Sequence, residues 1–340
     1  MIEFPALGGL KFNINPVALH FGNFNVYWYG IIIAFGFMLA VVLAMRQSKN
    51  YGINSEDIID LVLFAAPVAI IFARLYYVMF SWDNYKNDLS EIYKIWNGGI
   101  AIYGAIIGAV LTAYIFARYK KIEVLKLFDF CVPYLVLAQA IGRWGNFVNQ
   151  EAFGTNTTLP WGMTGERIRS ELEILKMRGM DVDPALPVHP AFLYESLWNL
   201  AAFFILIAFR KKKKLEGEVF FLYMIIYGLG RFWIEGLRTD SLMLGSLRIS
   251  QVLAMVFAAA FSIAFFVRRR KIKALAEETV AGKSVYGDIL KELNDEKTLV
   301  SNDEAVQGKE DAEEFSPEET VDEENSSDMP LTDNNMDKEA

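Results

Sequence analysis

Seven ionisable side chains stand inside or at the ends of long apolar runs: Arg74, Arg143, Glu151, Glu195, Arg231, Glu235 and Arg238. In GRWGNFVNQEAFG, residues 142–154, Arg143 closes such a run, and Asn146, Asn149 and Glu151 follow at once. In YGLGRFWIEGLR, residues 227–238, Tyr227, Arg231, Glu235 and Arg238 recur at helical spacing and share one stripe. The plain reading of that stripe is an Arg231–Glu235 ion pair that merely neutralises itself. Taken with Arg74 and Arg143, however, the arginines outnumber Glu151, Glu195 and Glu235 by one. Planar guanidiniums in excess suit an anion, and a phosphate best of all. An arginine at the centre of a membrane helix costs ~2.5–3.5 kcal/mol on insertion scales, so each of these needs a partner or a task.

The elements that must position these groups are membrane helices. The chain of 340 residues is 54% hydrophobic. Its apolar runs predict seven spans near 27–45, 58–80, 98–117, 128–144, 190–209, 219–237 and 249–267, each long enough to cross hydrocarbon. The clusters RQSKN, RYKK, RKKKK and RRRKIK follow spans one, three, five and seven. Basic residues favour the cytoplasmic side, so the N-terminus is expected outside and the C-terminus inside. The expected fold is an all-α polytopic membrane protein with seven transmembrane helices and a small extracytoplasmic head, mainly 145–189.

On that topology Arg74 and Arg231 each lie six residues, roughly 9 Å, from the outer end of a span. Tyr29, Tyr103, Arg143, His189 and Glu195 fall at the same level. The inner halves are largely apolar, with Asp60 and Asp129 near the cytoplasmic ends. A phospholipid transporter or flippase, the alternative reading, needs polar groups along the whole crossing, so a one-sided enzyme acting on a lipid headgroup fits better. A receptor with a signalling tail leaves the arginines without a use.

Residues 1–273 carry a net charge of +8, whereas 274–340 hold 21 acidic and 5 basic residues and are expected to form a disordered cytoplasmic tail. TGERIRSELEILKMRG, residues 164–179, predicts an amphipathic helix, either on the outer membrane surface or within a small lobe. His189, before Pro190, either caps the fifth span or meets substrate, and His20 reads as structural. Gly104 and Gly108 mark close helix packing. Cys131 reads as a small buried residue, and no cleavable leader is expected. No metal or nucleotide motif is present, so no metal and no cofactor is expected.

GRWGNFVNQEAFG resembles the signature of bacterial prolipoprotein diacylglyceryl transferases. WYG at 28–30, HPAFLYE at 189–195 and YGLGRFWIEGLR at 227–238 fall in that family's order, so the resemblance covers essentially all of 1–270. It implies a bacterial plasma-membrane transferase that moves the diacylglyceryl group of phosphatidylglycerol onto the lipobox cysteine of a preprolipoprotein. A thioether forms and glycerol 1-phosphate leaves, in the first step of lipoprotein maturation. Phosphatidylglycerol, lipobox signal peptides and membrane lipids are the implied partners, with no nucleic acid. By resemblance Arg143 and Arg231 hold the phosphate, Asn146, Asn149 and Glu151 complete the signature site, and Tyr29, Tyr227, Glu235 and Arg238 match further functional positions. Many members carry a histidine base where this chain has Tyr103. Tyr103 is thus the expected group assisting thiol deprotonation, with Glu151 as its rival.

Overall fold

The computed structural model describes residues 1–310 apart from Asn23, 240–242, 245 and 246. The acidic residues 311–340 lie outside the described residues. Eight helices are present among the described residues: α1 (Trp28–Ser48), α2 (Ser55–Phe80), α3 (Ile102–Tyr119), α4 (Val124–Asn149), α5 (Glu166–Met177), α6 (Ala191–Arg210), α7 (Glu218–Leu237) and α8 (Ile249–Glu310). All but α5 are long and apolar enough to cross a membrane, α8 through its part Ile249–Ala274. The seven expected spans are therefore present. Helix α8 continues to Glu310, where the sequence reading expects a disordered tail from 274 onward. Helix formers such as Ala, Leu, Glu and Lys fill that stretch, and they favour helix without needing a core.

Helix α4 is the hub of the unit Met1–Lys271, packing against α1, α6 and α7, while α3 leans chiefly on α2. Small residues set the spacing. A Cβ at Gly36 of α1 would lie 3.1 Å from Ile141 of α4, and one at Gly108 of α3 would lie 2.8 Å from Phe72 of α2. Helix α4 starts four residues earlier and ends five residues later than the expected 128–144. Leu127 and Phe130 are buried in its first turns, and Gln150 ends it in a left-handed conformation at φ 52°. Asn146 and Asn149 accordingly belong to the helix rather than to a loop. Arg143 sits six residues inside its end, about 9 Å at 1.5 Å per residue.

The segment between α4 and α6 builds a lobe together with the N-terminus. Strands β1 (Ile2–Phe4) and β2 (Leu10–Phe12) pair antiparallel, and β5 (Thr164–Gly165) adds to the other edge of β1. A hairpin of β3 (Val17–Phe21) and β4 (Phe24–Tyr27) leads into α1, and β6 (Met243–Leu244) pairs with β7 (Leu247–Arg248) before α8. Ile168, Leu172 and Leu175 of α5, spaced i, i+4, i+7, are buried with Ile2, Phe4, Phe147, Val188 and Phe192. That shared core decides between the two sequence alternatives for 164–179, because the apolar face of α5 is spent on the lobe.

Arg74 departs from expectation. It is 5% exposed and donates to the carbonyls of Ile92 (2.8 Å), Glu91 (2.5 Å), Gly98 and Gly99 (both 2.6 Å), with its guanidinium 5.0 Å from the Tyr85 ring centroid. It clamps the α2–α3 connection and does not join the other arginines. Arg74→Ala is expected to lower the thermal midpoint in detergent, since it removes four hydrogen bonds from a buried guanidinium to carbonyls of the α2–α3 connection, and a bond to a charged group contributes about 1.5–3 kcal/mol. Arg74→Lys should recover only part, because an ammonium cannot fork to four acceptors. A midpoint equal to wild type in both would remove this role.

The basic-loop end is more ionic than the sequence reading allowed. Asp129, 1% exposed, accepts from the backbone N–H of Gly217 (2.9 Å) and Phe220 (2.8 Å) at the start of α7, and pairs with Lys213 at 3.3 Å. Buried Arg210 donates to the carbonyls of Asp129 and Phe130, and Glu218 pairs with Arg269 at 2.6 Å.

Candidate active site

At the head end, α4, α6 and α7 bring one carboxylate and three guanidiniums together. Glu195 lies five residues into α6 and is 6% exposed. Its Oε2 is 2.5 Å from Arg143 Nη2 of α4 and 4.0 Å from Arg231 Nη1 of α7, and its Oε1 is 3.2 Å from Arg238 Nη1 just past α7. Arg231 Nη2 also pairs with Glu235 Oε2 at 2.8 Å, one turn along the same helix. The side chains of Arg143 and Arg231 remain 27% and 25% exposed. Arg143 Nε and Nη1 donate to no acceptor among the described residues. Anchored on one edge and open on the other, a guanidinium can hold a phosphate in its free fork.

The sequence reading counted Glu195 among local carboxylates but gave it no part. The signal was available: a carboxylate five residues into an apolar helix, level with arginines on two others, is costly to leave unpaired. Arg248 was missed altogether. It leaves β7 and donates from Nη1 to the carbonyl of Glu235, tying the start of α8 to the end of α7. Beside Glu195, Ser196 Oγ donates to the carbonyl of Ala140 (2.9 Å) and accepts from Trp144 Nε1 (3.2 Å), so α6 is seated against α4 at the level where the charges meet.

Glu151 stands at the mouth of α4. Its Oε1 accepts from Asn146 Nδ2 (3.0 Å) and Asn149 Nδ2 (3.4 Å), and its N–H donates to the carbonyl of Asn146 (3.0 Å). The three signature residues thus form one hydrogen-bonded group. Tyr29 of α1 lies over Gly145 of α4, where a Cβ would meet its ring at 2.7 Å.

The remaining expected residues are placed less centrally. Tyr103 opens α3, is 51% exposed and packs against Tyr76 at 6.2 Å between ring centroids. No hydrogen bond or ion pair joins it to the arginines among the described residues. Tyr227 lies one turn before Arg231 and packs against Tyr223 at 5.9 Å. His189 belongs to the seam between head and helices. Its carbonyl accepts from Gly154 N–H, its N–H donates to Thr155, and Thr155 N–H donates to Leu237 at the end of α7. The Tyr194 hydroxyl accepts from Trp161 Nε1 (2.7 Å) and lies 3.1 Å from His189 Nδ1.

Burial pushes the His189 imidazole below its ordinary value. The folded protein therefore binds this proton less readily than the unfolded chain. Stability from this site is full above the unfolded value and is lost as pH falls through the lower folded value. The thermal midpoint of wild type should drop between about pH 7 and about pH 5 by more than that of His189→Gln. Parallel profiles would exclude the effect.

Comparison with known proteins gives a consistent result. Residues 16–267 match the family model described as prolipoprotein diacylglyceryl transferase. A phosphatidylglycerol–prolipoprotein diacylglyceryl transferase of Listeria innocua serovar 6a is 50% identical over 262 residues, 76% of this chain and 90% of the relative. Proteins of the same name from Ligilactobacillus salivarius and Limosilactobacillus reuteri are 50% and 46% identical, over 75% and 77% of this chain and 94% of each relative.

Proposed function

Because the chain belongs to the prolipoprotein diacylglyceryl transferase family, we propose that its head-end arginine cluster is the active site, with phosphatidylglycerol as donor and a prolipoprotein as acceptor. The chain is a multi-pass membrane transferase. The bundle sits in the bacterial plasma membrane with the head outside and the basic loops in the cytoplasm, so the site opens to the outer leaflet. The acceptor atom is the sulfur of the lipobox cysteine. Sulfur attacks the glyceryl carbon that bears the phosphate ester, a C–S bond forms and the C–O bond breaks. The electron pair leaves with glycerol 1-phosphate, and the thiol proton passes to a base.

One observation carries this reading. Glu195 holds Arg143 of α4 and Arg238 just past α7 and lies 4.0 Å from Arg231, and Arg143 keeps Nε and Nη1 available at partial exposure. Oriented guanidiniums in a site of low dielectric stabilise the charge that grows on the leaving phosphate. Arg143 and Arg231 are the phosphate-holding pair, Arg238 and Glu235 support them, and Tyr29, Tyr227 and His189 line the approach. Asn146 and Asn149 hold Glu151 beside it. Purified protein incubated with labelled phosphatidylglycerol and a lipobox peptide should yield a thioether-linked diacylglyceryl peptide. Absence of product, with the protein folded and a positive control active, would sink the reading.

Tyr103 assists removal of the thiol proton, with Glu151 as its rival for that role. Tyr103→Phe should lower turnover by about 10²-fold, the lower range for general-base loss. A rate close to wild type would transfer the role to Glu151, whose Gln variant should then show the loss instead.

A further inference from the structure

Most helical glycines in this protein have a packing reason. A Cβ at Gly104, Gly108, Gly145, Gly228 or Gly230 would run into a neighbouring helix or ring. Gly30 does not. It lies in the first turn of α1, is exposed, and a Cβ built there meets nothing within 4 Å. Its φ is not in the left-handed region that favours glycine. Glycine weakens a helix relative to alanine, and at Gly30 the missing side chain leaves the adjoining groove open.

The space is an open groove of ≈ 420 Å³ lined by Asn25, Val26, Tyr27, Tyr29, Gly30 and Asn149. It runs along β4 to the junction with α1. Strand β4 pairs on one side with β3, and among the described residues no strand pairs with its other edge. At its inner end lie Tyr29, which covers Gly145, and Asn149, whose amide holds Glu151. An unpaired strand edge beside an apolar-walled groove is the arrangement that takes an extended peptide, by main-chain hydrogen bonds along the edge and small side chains into the groove. Acyl chains, by contrast, need apolar surface along the spans, whereas this groove is bordered by the hairpin at the head end.

We propose that this groove binds the acceptor polypeptide as an extended segment next to its cysteine, and that Gly30 is a specificity-determining residue that keeps the groove open. The proposal rests on the reading of the site as a prolipoprotein-modifying centre. A segment bound here presents its thiol on the Glu151 side of the arginine cluster.

Full-length Gly30→Ala and Gly30→Leu, reconstituted with phosphatidylglycerol, test it through steady-state kinetics with a synthetic lipobox peptide. The expected result is a KM for peptide raised about tenfold in Gly30→Leu and less in Gly30→Ala, on the scale of a pocket losing a methylene or two. The dependence on phosphatidylglycerol should stay as in wild type, and the thermal midpoint should not fall. A shift in phosphatidylglycerol dependence instead, or no shift in either, overturns the proposal. Should Gly30→Leu fail to fold, a photoreactive phenylalanine analogue replacing exposed Tyr27 decides: crosslinks to the peptide support the proposal, and crosslinks only to lipid, or none, overturn it. Product formation by wild type in the same assay keeps the transferase reading separate from this outcome.

Discussion

Arg143→Ala is expected to lower kcat/KM for diacylglyceryl transfer by about 10²–10³-fold, the cost of losing one donor aimed at developing charge. The fold should survive the change. Arg143 is one of three guanidiniums on Glu195, and Arg238 stays 3.2 Å from Oε1 when Arg143 is gone. The side chain is also partly exposed, so its removal leaves little void. A thermal midpoint near wild type combined with collapsed activity is the expected pattern. Arg143→Lys tests the geometry further, since a lysine keeps the charge but loses the planar fork. Activity in the lysine variant close to wild type would show that charge alone suffices and that the free Nε–Nη1 edge has no special part.

Glu195→Ala should behave differently, damaging stability and activity together. Breaking a buried pair by removing one partner costs about 3–5 kcal/mol, because the opposite charge is left without compensation. Here three arginines lose their common counter-charge, while Arg231 retains Glu235 at 2.8 Å. Repulsion among the three should splay α4 from α7 at the head end. Glu195→Gln, similar in shape but uncharged, should sit between alanine and wild type in midpoint. Thermal unfolding in detergent and the transfer assay measure both effects. Full activity in Glu195→Ala would mean that the arginines are positioned by something other than this carboxylate.

How much of this was legible in the residues differs by length scale. Spans declare themselves by unbroken apolar runs, so all seven were readable, and α7 was placed to within a residue at each end. Helix α4 was cut short because Arg143, Asn146 and Asn149 look like the end of a hydrophobic segment. Depth inside a polar-lined bundle and depth in lipid are different things, and hydropathy reports only the second. The short strands β1, β2 and β5 offer two or three residues each, too few for an alternating pattern to be read. Arg74 and Arg143 were indistinguishable by charge and depth. What separates them is that backbone carbonyls of the α2–α3 connection surround one, and a single carboxylate oxygen touches the other. Backbone acceptors leave no trace in side-chain composition. Glu195, Asn146, Asn149 and Glu151 all lie in motifs that could be found, yet which of them would hold the arginines required three helices to be brought side by side.

The capping of α7 by Asp129 has a consequence for the far end of that helix. Two backbone N–H groups, of Gly217 and Phe220, point at one fixed carboxylate, and this sets the azimuth of the helix as well as its height. The α-helix is stiff in torsion because each turn is bonded to the next. A rotation of about 20° would swing a group at the ~5–6 Å side-chain radius through roughly 2 Å, more than a guanidinium–carboxylate contact tolerates. The angular bearing of Arg231 toward Glu195 is thus indexed from the opposite side of the bundle, as a key is turned by its bow.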